Sequence, residues 1–314
     1  MNDMKGKQGM VCMGLLLVLS SCHTGKQITA SGLQRKDFQT EVNGQHTDLF
    51  TLSNKQGMEV CITNYGARVV SILVPDRNGK REDVVCGFST ITEYMEQRQN
   101  FGSTVGRYIG RILNARFTLD GVEYKLVPNN GKSGHISHGG NPGFADRIWK
   151  VEQADTHRVR LSYLSPDGEN GFPGNLKVTL VYSLGEDDNA LDLTYEATTD
   201  APTVLNLSHH SFFNISGNFT KSVEDQQLWV DADRFTPYDD KKCVTGEYLQ
   251  VAGTPLDFRM PHAIGECIDA DHPQLKVVNG YDHTWELNTK GDDTRPAAWV
   301  YDPASGRKME IFTT

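Results

Sequence analysis

Leu176-Lys177-Val178-Thr179-Leu180-Val181-Tyr182-Ser183-Leu184 is the stretch that decides the fold class. Leu176, Val178, Leu180, Tyr182 and Leu184 hold every second position. In an extended strand successive side chains point to opposite faces, so this spacing gathers the apolar groups on one face; a helix would scatter them around its axis. The pattern recurs on both sides. Val159, Leu161 and Tyr163 alternate upstream, and Leu191, Leu193 and Tyr195 downstream, with Pro166-Asp167-Gly168 and Pro173-Gly174 as turn signals between them. Further upstream, Phe117 and Leu119 lead through Asp120-Gly121 to Val122, Tyr124 and Leu126. Asp-Gly supplies the positive φ angles of a tight turn, so this segment reads as a hairpin. No stretch offers a long amphipathic helix. Many short strands with regular turns predict an all-β chain, a sandwich or a barrel. Gly102, Gly106 and Gly110 lack the spacing and the strand–turn–helix context of a dinucleotide fingerprint.

The 314 residues suit one large all-β domain or two ordinary ones, and no break in composition marks a boundary. Charged residues make up 23% and hydrophobic residues 38%, a globular balance. A formal net charge of -9 with no basic stripe argues against a nucleic-acid partner. Of the six cysteines, Cys61, Cys86, Cys243 and Cys267 lie outside the N-terminal segment; none forms a Cys-x-x-Cys pair, and they read as separate buried thiols. No metal site is expected, because the compact ligand spacings of common zinc motifs are missing.

The N-terminus reads as an export segment. Lys5 and Lys7 precede an apolar run from Met10 to Leu19, the length of a signal h-region and too short to span a bilayer. The run ends in Leu19-Ser20-Ser21-Cys22, which resembles a bacterial lipobox with Cys22 as the lipidated residue. The expectation is a lipoprotein signal peptide over 1–22, a polar tether over 23–36 and a β-domain over 37–314, exported and held at the periplasmic side or in the outer membrane by lipid. His23 at the position after the cysteine does not signal inner-membrane retention.

Polar chemistry concentrates in three stretches: HISHGG at 135–140, NLSHHSFFNISG at 206–217 and NGYDHTWEL at 279–287. Aromatic faces beside Asn, Asp and His suit a sugar, since rings cover apolar C–H faces while amides and carboxylates bond hydroxyls. Each histidine also has a plain structural reading, as a satisfied turn residue.

In order along the chain, GRYIGRILNARFTLDG at 106–121, HISHGG, GFADRIW at 143–149, NLSHHSFFNISG, DRFTPYDDKKCVTGE at 233–247, GTPLDFR at 253–259 and NGYDHTWEL strongly resemble the galactose mutarotase (aldose 1-epimerase) family over roughly residues 38–314. The resemblance implies a large antiparallel β-sandwich and a cofactor-free enzyme that interconverts the α and β anomers of a hexose. It implies that His210 is the general acid and that Arg111, His138 and Asp282 bind the sugar. Two positions depart from the family pattern: Gly110 and His209 each stand where Asn is usual. The family's general base, a glutamate, is expected beyond Thr314, so the chain as given is expected to lack it together with the C-terminal strands. Two other classes stay open: a glycoside-active enzyme on the same fold, for which Asp282 has no convincing carboxylate partner, and a non-catalytic sugar-binding lipoprotein. The preferred sugar and the oligomeric state are not legible.

Overall fold

The computed structural model describes residues 28–314. The signal segment, Cys22 and tether residues 23–27 lie outside the described residues.

Alternation along 176–184 buries what it should: Leu176, Val178, Leu180, Tyr182 and Leu184 are each at most 4% exposed. This strand pairs antiparallel with Arg158–Ser165 on one side and Leu191–Thr199 on the other, and Lys150–Ala154 completes a four-stranded sheet. A second antiparallel sheet runs through Leu49–Ser53, Glu59–Thr63, Arg68–Pro75 and Arg81–Asp83. The two pack face to face. Leu52, Val60, Ile62 and Val69 from one meet Val159, Leu161, Val178 and Leu180 from the other in a single apolar cluster. Burial of alternate faces against each other is the defining economy of a sandwich. Two smaller sheets are built from the C-terminal third. One holds Gln227–Val230, His262–Ala263, Ala298–Tyr301 and Lys308–Ile311, and the other Ala232–Thr236, Leu249–Gln250 and Thr284–Leu287.

Two short α-helices lie among the described residues. Ile91–Gln97 starts with a capping box, in which the Thr90 hydroxyl accepts from the Glu93 N–H and the Glu93 carboxylate returns to the Thr90 N–H. Pro273–Val278 ends on left-handed Asn279. The hairpin at Asp120-Gly121 forms as read, with φ of 50° and 78° at its two central residues.

The tether expected over 23–36 needs correction where it can be described. From Ile28 the chain is docked, not loose: Ile28 bridges Gln34, and Thr29 is 5% exposed. Buried Glu59 accepts the Ala30 and Ser31 N–H groups at 3.0 and 3.1 Å, and Arg35 forms a bidentate pair with Asp48. A polar composition concealed this because the attraction is to one buried carboxylate. The thiol reading also needs adjustment: Cys61 and Cys243 are buried, Cys86 and Cys267 are half-buried, and all are free.

Leu180 makes the core testable. Leu180→Ala should cost about 2–5 kcal/mol in urea unfolding, whereas Leu164→Ala, 61% exposed in the neighbouring strand, should stay within about 0.5 kcal/mol. Equal costs would mean that the sandwich is not closed by this face.

Candidate active site

Short ladders place the polar groups. Thr104–Val105 pairs with Ser208–His209, and beyond it the Gly102 N–H donates to the His210 carbonyl at 3.0 Å while the His210 N–H donates to the Ser103 carbonyl at 2.8 Å. His210 is thereby fixed at the end of a strand pair. Arg111–Ile112 pairs with Ile136–Ser137, which sets Arg111 opposite Ser137 and next to His138. His138 is locked further: its N–H donates to the Gly110 carbonyl at 2.9 Å, and its Nδ1 accepts from the Gly110 N–H at 3.2 Å. An accepting Nδ1 means that the neutral ring carries its proton on Nε2, leaving one donor for a ligand oxygen. Asp282 lies in the exposed turn between left-handed Asn279 and the Thr284–Leu287 strand.

These elements bring two of the sequence-predicted residues, His138 and His210, together. The His138 and His210 rings meet edge to face at 5.1 Å. Burial first, then the charges of His210 and Arg111, pushes His138 down from 6.5 to about 4. His210 is also lowered, chiefly by burial; the Asp282 carboxylate pulls it back up and the Arg68 cation pushes it down. Arg111 reaches over to donate to the Lys242 carbonyl at 2.9 Å, and its charge also acts on Tyr238, on which the Asp282 carboxylate acts in the opposite sense. Two imidazoles thus stand ring to ring, with the Arg111 charge felt at His138 and the Asp282 charge felt at His210. Such a set can bind a polyol and move a proton.

Several residues fall elsewhere than the motif reading suggested. His135 is fully buried and accepts the Asn114 N–H through Nδ1, a purely structural post. Tyr281 donates to the Pro255 carbonyl and Trp285 to the Leu256 carbonyl, and both rings pack, half-buried, against the C-terminal core. His283 is wedged among Phe235, Tyr238 and Trp285. Asn214 organises its own turn, donating to the Asn218 and Lys221 carbonyls. Sequence reasoning did not single out Tyr238, on which the Arg111 and Asp282 charges both act, or choose between the paired phenylalanines, of which Phe212 is 45% exposed with its ring 5.0 Å from that of His210. For Phe212 a signal existed in its i+2 relation to His210, which puts both on one side of an extended chain. A separate cleft of about 430 Å³, lined by Gly253, Thr254, Asp257, Arg259, Met260 and His262, holds none of these groups.

The family model described as Aldose 1-epimerase matches residues 48–314. The chain belongs to the aldose 1-epimerase family. It is 37% identical over 265 residues to galactose mutarotase from Sus scrofa, covering 84% of this chain and 74% of that protein. It is 36% identical over 272 residues to aldose 1-epimerase from Escherichia coli (strain K12), covering 87% and 77%. Among solved structures it resembles galactose 1-epimerase from Lactobacillus acidophilus NCFM, with a TM-score of 0.73 and 31% identity over 84% of this chain and 75% of that one.

Within this family member, the two departures have different physical weight. Gly110 has φ of 78° and nothing within 4 Å of where a Cβ would stand, so the site is open there and an asparagine, tolerant of left-handed backbone, fits. His209 has its Nε2 2.6 Å from the Ser211 hydroxyl and its ring edge-on to Tyr182.

His138, His209 and His283 are each pushed from 6.5 to about 4, mainly by burial. A depressed imidazole contributes stability that is complete above its ordinary value and is lost as pH falls through the folded one. Denaturant midpoints should therefore drop progressively between about pH 6.5 and 4. A flat midpoint across that window would show that these rings are not held neutral.

Proposed function

We propose that the chain is an aldose 1-epimerase that interconverts the anomers of a free hexose such as galactose or glucose, with His210 as general acid. The observation that supports this reading is the meeting of the His138 and His210 rings at 5.1 Å within a family member, with the Arg111 and Asp282 charges acting on them. The reaction breaks one bond and remakes it. A base removes the C1 hydroxyl proton while His210 donates a proton to the ring oxygen. The C1–O bond opens to the aldehyde, C1 turns about C1–C2, and reversal closes the ring on the other face. No external electron or group is required. His138, with its proton on Nε2, and Arg111 steady oxygens of the sugar, Asp282 accepts from its hydroxyls, and Phe212 covers an apolar C–H face.

The base is the role that none of these residues fills on present geometry. Asp282 is the carboxylate whose charge reaches both His210 and Tyr238. Acid without base forfeits about 10²–10⁴ in rate. Polarimetry on freshly dissolved α-galactose decides between readings. Weak acceleration by the 314-residue chain fits the assignment. Fast acceleration that Asp282→Asn abolishes makes Asp282 the base, and sugar binding with no acceleration at all makes the chain a binder.

In a version that also carries the family's C-terminal glutamate, His210→Asn should lower kcat by about 10²-fold or more with the fold intact, whereas His209→Asn should be mild. The reverse ranking would assign the acid to the other imidazole.

We further propose that the domain is exported and lipid-anchored through Cys22, supported by Lys5 and Lys7, the apolar run and Leu19-Ser20-Ser21-Cys22. Cys22→Ala should move the protein from the membrane to the soluble fraction; unchanged fractionation would sink the lipid anchor.

A further inference from the structure

Arg68 opens the Arg68–Pro75 strand in the middle of the sandwich and is 1% exposed. Its partners are carbonyls and rings. Nη1 donates to the Gln99 and Phe101 carbonyls, both at 2.8 Å, and Nη2 to the Ala145 carbonyl at 3.0 Å. The guanidinium lies 4.6 Å from the Tyr94 ring centre and 5.7 Å from that of Tyr65, and its Nε has no partner. Arg307, by contrast, is also buried but reaches Glu82 at 3.4 Å. Asp146 acts on Arg68 only through space, its carboxylate being engaged with the Gly143 N–H. A buried cation without a bonded counter-ion is costly, and carbonyl dipoles offset that only in part.

What Arg68 grips is the segment that seats the acid. Gln99 and Phe101 lead directly into Gly102 and Ser103, whose backbone groups hold His210. The Phe101 ring meets Phe212 edge-on at 5.3 Å, and Phe212 lies against His210. On the other side Gly102 is pressed onto the Arg68–Pro75 strand: the Val69 N–H donates to its carbonyl, and a Cβ would come within 1.8 Å of the Val69 carbonyl oxygen.

We propose that Arg68 is a positioning residue for the acid, clamping the Gln99–Phe101 turn whose continuation, Gly102-Ser103, holds the His210 backbone, with its charge kept in that buried clamp without a bonded counter-ion. The proposal rests on His210 being the acid. The charged and titratable groups that act on His210 or adjoin it are His138, whose ring meets it at 5.1 Å, His209, the preceding residue, and Asp282 and Arg68, which act through space, with Arg111 acting in turn on His138. Asp282 favours the imidazolium and Arg68 disfavours it, so Arg68 makes His210 the readier proton donor to a ring oxygen.

Imidazole NMR titration of the full chain, paired with polarimetric kcat and KM, tests this. In Arg68→Gln the His210 midpoint should rise and the alkaline limb of the kcat profile should rise with it. Its kcat should fall by about ten- to a hundredfold at little-changed KM. Arg68→Lys, which keeps the charge and loses the fork, should hold the midpoint and recover part of the rate. An unmoved midpoint in Arg68→Gln, or an equal shift in Arg68→Lys, overturns the proposal. If neither variant folds, the unmodified chain decides: a His210 midpoint below 6.5 with slowly exchanging Arg68 guanidinium protons supports the clamp, and an ordinary midpoint or fast exchange overturns it. Full turnover in His210→Asn would remove the acid assignment and leave the Arg68 titration results standing, so the two failures are distinguishable.

Discussion

The Ala67 carbonyl is the junction on which the rest of the molecule depends. It accepts the Tyr182 hydroxyl at 2.7 Å, across the interior of the sandwich, and the Thr104 hydroxyl at 3.3 Å. Thr104 in turn lies 3.3 Å from the Tyr195 hydroxyl and pairs with His209 in register. One buried oxygen therefore ties the two large sheets to the short ladder that carries His210. Its own residue is left-handed, φ 42°, which turns the chain so that Arg68 follows directly into the core. The apolar faces supply the driving force for closure; this polar node fixes the level at which they meet.

A division of labour follows. The sandwich is held by area, which tolerates exchange of one aliphatic side chain for another of like volume. The site is held by backbone hydrogen bonds at Gly110–His138 and Ser103–His210, which depend on where the strands end and not on which side chains fill them. The buried arginines belong to the second category. Arg107 donates to the carbonyls of Ser165, Pro166, Pro173 and Gly174 and so ties together the connection between the Arg158–Ser165 and Leu176–Leu184 strands.

That division also explains what could be read from the sequence. The Leu176–Leu184 strand and the Asp120-Gly121 hairpin are legible because period-2 alternation and turn chemistry are local properties. Arg111, His138, His210 and Asp282 were singled out through ordered motifs, and the structure sets the His138 and His210 rings 5.1 Å apart. Arg68 and Arg107 were not, because their partners are main-chain carbonyls from distant segments that no side-chain pattern encodes. Tyr281 and Trp285 were ambiguous for a related reason: an aromatic beside Asp and His looks the same in a sequence whether its ring faces a sugar or a core, and their carbonyl acceptors, Pro255 and Leu256, become neighbours only on folding. The docking of residues 28–36 escaped because a tether and a latched segment share one polar composition.

The latch itself has a mechanical side. Glu59 sits on a strand flanked by hydrogen-bonded neighbours on both sides, and it holds Ala30 and Ser31 by their amides. Tension arriving along the backbone from upstream of Ile28 is delivered through that carboxylate into the middle of a sheet, with Arg35 and Asp48 as a second fastening. The load enters the sandwich on the Glu59–Thr63 strand, which is laddered to the Leu49–Ser53 strand on one side and the Arg68–Pro75 strand on the other. A pull on the N-terminal end is thus shared between two ladders before any of it reaches Arg68 and the Gln99–Phe101 turn.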